Sequence, residues 1–486
     1  MTRTAPPRDE RAATAPRPAG PTATRLVVAV LVLLSGVTML LGYANKARCT
    51  GPEFEPSGRS APDYELRIDQ DVCYSDIQHL WLGRDIDQHV FPYVNGSITP
   101  EGVLVGGTVE YPVLTGVLIW AGAIGADTDA GYLLGSALLM APFGLLTAWL
   151  LGRLTRWRAL IWSLGPPVVL YAFHNWDLPV VACAAAAVFV VHGWRTERPL
   201  SDRATLAAVL LGLGFAFKVY PGAFLLPLAL YALTAARPGR LDWWAAARVP
   251  LAAAITVVLV NLPFALVGYE GWRASFSFQA QRKVDLTTNS IWYWGFRPES
   301  GPENPGFQAT MDWLSPTLVL LSFAVAAAVG WWRYQREGDY PWIGVSAAML
   351  CGFLLLHKVH SPQYTLWLLP FFALLRVPWP LVAGYLVTDL AMGIGIFRWF
   401  YALKTGAGTG IYEGFAAQAV MIGVWGRAAL LVVLFVVFLR VPDALTSDRG
   451  PSTDDGADTA TDTGTDTGTD TVTARRTPAV RGAPPG

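Results

Sequence analysis

The 486-residue chain is 53% hydrophobic, only 15% of its residues are charged, and its mean hydropathy is +0.37. These values are typical of a protein that lies mostly in lipid, and they exclude a soluble globular protein. The 36 basic and 36 acidic residues leave no positive excess that would favour a nucleic-acid partner, and no motif for one is present.

Both ends of the chain have compositions that cannot form a core. Residues 1–24 are rich in Pro, Ala, Thr and Arg, and residues 441–486 contain repeats of Asp, Thr and Gly. We predict a disordered cytoplasmic tail at each end. The apolar run that starts at Leu26 directly follows Arg25. A cleaved signal peptide is the alternative, but the run is long and no small-residue cleavage site follows it, which favours a membrane anchor.

Apolar segments between the tails predict twelve helices. Several are shorter than the roughly 20 residues needed for an upright crossing of the bilayer, so they are incomplete spans or extend beyond the apolar run. The twelve segments are residues 26–43, 130–151, 159–173, 178–193, 204–217, 221–236, 247–268, 314–332, 342–356, 364–376, 379–397 and 416–439.

The positive-inside rule decides the topology. If the apolar stretch 111–126 counts as a span, the Arg cluster at 153–158 lies outside the cell. We therefore predict that this stretch is a juxtamembrane helix on the outer leaflet. The result is an all-α integral membrane domain over residues 25–440, with both termini cytoplasmic and with long outer loops at 44–129 and 269–313.

Four polar segments fall on the outer side together with these loops. Polar groups at membrane depth are costly unless they line a wet cavity, so their convergence predicts a site that faces outside. The segments are residues 174–177, 218–221, 357–364 and 398–413.

A motif in the first outer loop carries a family resemblance. Asp76 comes soon after the first membrane helix and is followed by Trp81, Gly83 and Pro92-Tyr93, and later by Tyr111-Pro112 at the start of an apolar segment. This order resembles the lipid-dependent glycosyltransferases of the GT-C superfamily.

Three later motifs look like signatures of glycosyltransferase family 87, which contains bacterial mannosyltransferases. They are Asn175-Trp176-Asp177, Lys218-Val219-Tyr220-Pro221, and Lys358 with Ser361-Pro362-Gln363-Tyr364-Thr365-Leu366-Trp367. The resemblance covers residues 26–440 in architecture. It implies a GT-C-like bundle of about 12 transmembrane helices, with juxtamembrane helices in the first outer loop. It also implies that a hexose, by resemblance mannose, passes from a polyprenyl phosphate to a glycolipid or polysaccharide at the outer face of the cell membrane.

The resemblance implies that an Asp of the first loop is the general base, and Asp76 holds that position. The acceptor hydroxyl loses a proton as it attacks the anomeric carbon, and a carboxylate within hydrogen-bond reach accepts it. We expect the hydroxyl to attack in line with departure of the phosphate, which inverts the anomeric configuration of the donor sugar. The alternative is that Asp76 caps a helix, because Ser75-Asp76 precedes an apolar-periodic stretch. Asp69 and Asp71 lack the spacing to the aromatic residue and the Gly, and we interpret them as solvated loop charges.

Glu110 and Tyr111 lie where the first loop returns to the membrane. We predict that they hold acceptor hydroxyls or orient the base. The alternative for Glu110 is an interfacial charge at the end of the juxtamembrane helix.

Cations on the outer side are predicted to stabilise the departing phosphate. Lys218 is favoured because it interrupts the apolar residues 204–236, a stretch too long for one upright crossing. The alternative is a snorkelling lysine. Lys358 is the second member of this phosphate clamp, together with His360 or Arg398.

The remaining polar residues each have two interpretations. His357 and His360 have a spacing that suits metal ligands, but no carboxylate accompanies them, so phosphate or sugar contact is favoured and neither a metal nor a cofactor is expected. Trp292 stacks on a sugar or anchors the second outer loop at the interface. Asn175 and Asp177 bind sugar hydroxyls or cap a helix. The predicted sugar or lipid contacts are Asn175, Asp177, Tyr220, His357, Gln363 and Trp292.

The four cysteines are too few for a disulfide scaffold and lack zinc spacing. Cys49 and Cys73 share one polar loop, and they form a possible disulfide if that loop lies outside the cytoplasm. Cys183 and Cys351 lie in apolar segments.

A transporter or lipid-linked sugar flippase is the alternative from another class, because many secondary transporters also have twelve helices. Those proteins have two related halves with sites near the bilayer midplane, and no such repeat is evident here. The chain also lacks a Walker loop, which favours a lipid-linked donor over a nucleotide sugar. The expected partners are therefore the polyprenyl-phosphate donor, the acceptor and membrane lipids.

Overall fold

The computed structural model of this chain describes residues 21–237 and 239–445. The first helix begins at Pro21, so the end of the predicted N-terminal tail is helical. The rest of that tail, residues 1–20, and residues 446–486 of the predicted C-terminal tail lie outside the described residues.

The described residues are mostly α-helical, and they also form three short 3₁₀ helices and two hairpins of two-residue strands. The α-helices are α1 (Pro21–Ala47), α2 (Tyr64–Gln70), α3 (Asp76–Gly83), α4 (Val113–Gly122), α5 (Asp129–Thr155), α6 (Leu160–Ser163), α7 (Pro166–Tyr171), α8 (Leu178–His192), α9 (Leu200–Phe217), α10 (Leu225–Ala235), α11 (Trp243–Val267), α12 (Tyr269–Gln281), α13 (Ile291–Gly295), α14 (Pro305–Glu337), α15 (Trp342–Leu356), α16 (Thr365–Leu374), α17 (Trp379–Thr405) and α18 (Phe415–Phe438). The 3₁₀ helices are Arg156–Ala159, Tyr220–Phe224 and Pro362–Tyr364. The strands are β1 (Glu53–Phe54), β2 (Ser60–Ala61), β3 (Ser97–Ile98) and β4 (Leu104–Val105), paired antiparallel as β1 with β2 and β3 with β4.

The prediction of an all-α, multi-pass membrane protein is confirmed. Seven helical stretches in the described part of the chain are long and apolar enough to cross a membrane, and shorter apolar helices accompany them. Each of the twelve predicted apolar segments contains helix. The segment 159–173 is divided into α6 and α7 because Gly165 is extended before Pro166, and a residue before proline is disfavoured in the helical region.

The predicted second outer loop, residues 269–313, is largely helical. It contains α12, α13 and the first turns of α14, which starts nine residues earlier than the apolar pattern predicts. The Asn304 side chain accepts a hydrogen bond from the backbone N–H of Phe307 and thereby caps α14, and Pro305 occupies its first position. Polar residues extend this helix beyond its apolar part, so hydropathy alone missed its beginning.

The helices pack as neighbours along the chain and between its two halves. Contacts join α1 with α5, α5 with α8, α8 with α9, and α9 with α11, whereas α15 and α17 both pack against α18. Asp389 of α17 and Arg427 of α18 are both buried, and their side chains lie 3.6 Å apart. A charge inside an apolar bundle needs such a partner.

The first outer loop is tied to the bundle at two places. Cys49 and Cys73 form a disulfide with a Cα–Cα distance of 6.2 Å, as their shared loop suggested. Arg59 donates to the buried carboxylate of Asp129 at the start of α5, at 3.1 Å, and also to the backbone oxygen of Gln78. These links hold β1, β2, α2 and α3 against the helices.

Removal of the disulfide is expected to destabilise the protein. The crosslink joins residues 24 positions apart, and closure of a loop of this length contributes roughly 3 kcal/mol by restricting the unfolded chain. The double variant Cys49→Ala, Cys73→Ala should therefore unfold at a lower temperature in detergent, whereas Cys183→Ala is the control outside the disulfide. Thiol labelling of both Cys49 and Cys73 in the folded, unreduced protein would contradict the disulfide.

Candidate active site

Asp76 is the first residue of α3, and the bundle holds this helix by its backbone. The N–H of Asp76 donates to the carbonyl oxygen of His174 at 2.8 Å, and the Ser75 hydroxyl donates to the carbonyl of Phe173 at 2.7 Å. Residues 173 and 174 follow α7, so the loop helix is fixed to the end of a membrane segment. The alternative of a capping role for Asp76 is wrong, because Ser75 is the N-cap residue and the Asp76 carboxylate has other partners.

The Asp76 carboxylate receives one hydrogen bond on each oxygen. The Tyr74 hydroxyl donates to Oδ1 at 2.8 Å, and the Asn175 amide donates to Oδ2 at 2.5 Å. Burial raises the pKa of Asp76 above its usual range, and these two donors oppose that rise. The side chain is half-buried and each oxygen keeps a free lone pair, so the carboxylate can accept a hydrogen bond from a further hydroxyl group.

Asn175 connects Asp76 to Lys218. Its Nδ2 also donates to the Tyr111 hydroxyl at 2.7 Å, and its Oδ1 accepts from Lys218 Nζ at 3.0 Å. The predicted site residues Asp76, Asn175, Tyr111 and Lys218 therefore form one hydrogen-bonded cluster, although they come from four separate segments. The same asparagine accepts from the backbone N–H of Trp176.

Lys218 is paired with a fully buried carboxylate. Its ammonium lies 2.6 Å from Asp177 Oδ1, and the indole N–H of Trp367 donates to that same oxygen at 2.7 Å. The side chain of Asp177 makes no capping bond, so the capping interpretation is wrong for this residue. Snorkelling does not describe Lys218, because its side chain is 90% buried.

Aromatic rings surround the ammonium group of Lys218. The ring centroids of Tyr111 and Trp367 lie 5.6 Å and 5.5 Å from Nζ, and that of Tyr364 lies 6.0 Å away. Tyr364 stacks on Trp367 at 3.9 Å, and Tyr220 stacks on the same indole at 4.3 Å. Rings at these distances attract a cation and hold it in place.

The 357–364 segment lies beside this cluster. His360 packs edge-on against Tyr364 at 5.5 Å, and its Nε2 has no hydrogen-bond partner among the described residues. Lys358 Nζ instead lies 2.5 Å from Asp312 of α14. Gln363 is buried, and its Oε1 also lacks a partner in the described chain. Burial lowers the pKa of His357, and the neighbouring charge of Lys358 lowers it further.

Glu110 is bound by an arginine that the motifs did not reveal. Arg84 holds its carboxylate with two hydrogen bonds of 2.8 and 3.2 Å. Glu110 makes no hydrogen bond to Asp76, whereas Tyr111 is connected to Asp76 through Asn175. Because Glu110 is held by Arg84 in a bidentate pair, it is not a lone interfacial charge.

Three further residues lie in environments that differ from the predicted ones. Arg398 donates to the backbone oxygen of Gln70, so its guanidinium is engaged on α2. Trp292 is buried and its indole donates to the backbone oxygen of Leu356, which is a packing role and leaves no ring face for a sugar. Asp69 is buried beside Lys404 at 2.7 Å, so it is not a solvated loop charge.

Lys46 lies beside the site and was missed because nothing in its local sequence marks it. Lys46, at the end of α1, donates to the carbonyl of Tyr74 at 2.7 Å and lies 3.5 Å from His174 Nδ1. Burial holds the pKa of His174 well below its usual range, and the charges of Lys46 and Lys218 add to this. A lysine at the end of an apolar helix usually marks the interface, so its inward position was not predictable. In the described part of the chain, no group of three or more His, Cys, Asp or Glu residues is arranged to hold a metal ion.

Comparisons with known proteins agree with the motifs. The model of glycosyltransferase family 87 matches residues 110–357, half of the chain. No curated protein is similar enough to match. The crystal structure of ArnT from Cupriavidus metallidurans bound to undecaprenyl phosphate is 15% identical, with a TM-score of 0.39 over 86% of this chain and 78% of that chain. The oligosaccharyltransferase of Archaeoglobus fulgidus in the apo form is 12% identical, with a TM-score of 0.33 over 85% of this chain and 56% of that chain. Both structural similarities are too low to carry an argument.

Loss of Lys218 alone is expected to destabilise the fold. Lys218→Met leaves the Asp177 carboxylate buried without a cation, which costs roughly 3–5 kcal/mol. The double variant Lys218→Met, Asp177→Asn removes the unpaired charge and keeps an acceptor for Trp367, so it should recover most of the loss. Thermal unfolding in detergent measures both, with the exposed Lys283→Met as control. Equal destabilisation of the single and double variants would show that the charge pair is not the cause.

Proposed function

The chain belongs to glycosyltransferase family 87, and we propose that it transfers mannose from a polyprenyl-phosphate donor to a glycolipid or polysaccharide acceptor at the outer face of the cell membrane. That it is a multi-pass membrane glycosyltransferase follows from the family and from its apolar helices. We propose which sugar is transferred, which acceptor receives it and which residues take part.

One observation carries the mechanism: a carboxylate and an ammonium group bind the same amide. Asn175 lies 2.5 Å from an oxygen of Asp76 and 3.0 Å from the nitrogen of Lys218. A glycosyl transfer needs a group that accepts a proton and a group that stabilises a departing phosphate, held a fixed distance apart. The Asn175 bridge fixes that distance before any substrate arrives.

The proposed reaction is a single displacement at the anomeric carbon. The acceptor oxygen forms a bond to this carbon while the bond to the phosphate oxygen breaks, and the hydroxyl proton passes to Asp76. The polyprenyl phosphate departs with an additional negative charge, which Lys218 stabilises in its aromatic surroundings. Attack opposite the departing phosphate inverts the anomeric configuration. Tyr111 positions the base through Asn175, and Lys358 and His360 border the donor.

The base assignment predicts a large loss of rate in Asp76→Asn. An amide does not accept the hydroxyl proton, and general-base catalysis contributes about 10²–10⁴-fold, so turnover should fall by that factor. The assay supplies radiolabelled polyprenyl-phosphate mannose and a membrane-lipid extract to the protein in liposomes. Asp71→Asn is the matched control, because Asp71 is exposed and lies in the same loop.

Normal turnover by folded Asp76→Asn would overturn the base assignment. If the native protein forms no product but moves the labelled lipid across the bilayer, the transporter alternative replaces the proposed function.

The same base predicts an acid limb in the pH–rate profile. Asp76 accepts a proton only when it is ionised, so the rate should fall as the pH falls through its pKa. Burial raises this pKa, and the loss should begin at a higher pH than for an exposed aspartate. Tyr74→Phe removes a donor to the carboxylate, raises the pKa further and should shift the limb of kcat/KM to higher pH. The exposed Tyr412→Phe is the control. An unchanged limb in Tyr74→Phe would contradict this prediction.

A further inference from the structure

A cavity of about 650 Å³ lies beside the candidate site, between α9, α11, α14 and α15. Its walls consist of aliphatic and aromatic residues together with methionine, proline and glycine. Val219 and Leu226 in its wall are about half exposed, at 51% and 48%, so the cavity opens to the surface of the apolar helices. The volume lies within the roughly 300–1,000 Å³ of pockets that bury small ligands.

The inner end of this cavity meets the site through stacked rings. Tyr220 lines the cavity and stacks on Trp367 at 4.3 Å, and that indole lies 5.5 Å from the ammonium group of Lys218. Phe353, which also lines the cavity, lies 6.2 Å from the same indole and stacks on His357 at 4.8 Å. A molecule with an apolar chain and an anionic head therefore fits with its chain in the cavity and its head beside these rings.

The cations already described are paired with carboxylates, which reduces the positive charge that they present to an anion. Lys218 pairs with Asp177, Lys358 with Asp312, and Arg84 with Glu110, at 2.6, 2.5 and 2.8 Å. The Lys218–Asp177 pair is neutral as a unit, so a phosphate bound to Lys218 alone would leave one negative charge uncompensated. Such a charge in a buried site is costly. A second cation without its own counterion is needed.

Arg282 meets this requirement. It follows α12 directly, is half-buried, and within the described residues its side chain makes no hydrogen bond and no ion pair. The loop after it is fixed: Gln308 bonds both the N–H and the carbonyl of Val284, at 2.9 and 2.8 Å, and Asn289 donates its N–H to the carbonyl of His360 at 2.8 Å.

The chain on either side of Arg282 contacts the site: Gln279 Nε2 donates to the backbone oxygen of Glu110 at 2.6 Å, and the Asn289 N–H donates to the carbonyl of His360 at 2.8 Å. Burial is the main influence on the pKa values of His357 and Tyr364, lowering the first and raising the second, and the charge of Arg282 lowers both. His357 stacks on the cavity residue Phe353, and Tyr364 stacks on Trp367, so the charge of Arg282 acts on groups next to the cavity, where the head of a lipid would lie.

We propose that Arg282 binds the phosphate of the lipid donor and that the isoprenoid chain of that donor occupies the apolar cavity beside Tyr220. This inference rests on the proposed function. With the donor bound, the charges of Lys218 and Arg282 balance those of Asp177 and the phosphodiester. The planar guanidinium presents two parallel N–H groups to two phosphate oxygens, whereas the ammonium group of lysine acts as a point charge without this geometry.

Binding of radiolabelled decaprenyl phosphate, which carries no sugar, to the full-length protein in detergent tests this directly. We expect Arg282→Gln to weaken binding at least tenfold and Arg282→Lys to weaken it less, whereas Lys283→Gln, the exposed neighbour, leaves it unchanged. In α11, Ala254→Trp fills the cavity and should also weaken binding, whereas the adjacent exposed Ile255→Trp should not. Inorganic phosphate, which has no chain, should not compete at equal concentration.

The outcomes separate the two proposals. If the native protein transfers mannose but Arg282→Gln and Arg282→Lys bind decaprenyl phosphate as tightly as native protein does, the Arg282 assignment is wrong and the proposed function stands. If Ala254→Trp binds normally, the cavity does not hold the chain. If native protein binds decaprenyl phosphate through Arg282 yet transfers no sugar from any donor, the proposed function fails and the lipid site stands. No saturable binding by native protein overturns this inference.

Discussion

Both charged groups of the site are held by one buried amide, the side chain of Asn175. It donates to Asp76 and Tyr111 and accepts from Lys218 and from the backbone of Trp176. An amide side chain has two N–H donors and two acceptor lone pairs, so its full capacity is used. Leaving any of these buried groups unsatisfied costs about 1–3 kcal/mol. That cost favours a single arrangement of carboxylate and ammonium.

The two charges nevertheless come from different parts of the architecture. Lys218 and Asp177 stand at the ends of apolar helices, whereas Asp76 belongs to a loop that the Cys49–Cys73 disulfide and the Arg59 contacts tie to the bundle. Ile77 and Trp81 of α3 are buried in the main apolar core, and the covalent and backbone links add to this packing in holding the carboxylate in place. The bundle in turn pairs the buried carboxylates of Asp177 and Asp389 with Lys218 and Arg427, which leaves fewer cations free for a substrate.

Much of the fold follows from hydropathy, since a chain in lipid must satisfy its backbone hydrogen bonds within each helix. All twelve apolar segments are accordingly helical. The errors lie where polar residues continue a helix, as at the start of α14, or where a proline divides one, as at Pro166. In both cases backbone chemistry, and not apolar periodicity, sets the boundary.

The sequence by itself determined the family, the helical membrane architecture and the segments that meet at the site. The reason is that the order of the motifs and the lengths of the apolar segments are visible in the sequence alone. Only the tertiary structure decided which charges pair. Lys358 turns to Asp312 and Glu110 to Arg84, whereas Asp177 binds Lys218 instead of capping its helix. The physical reason is that electrostatic and hydrogen-bond energies depend on distance in space and on burial, and spacing along the chain carries neither quantity.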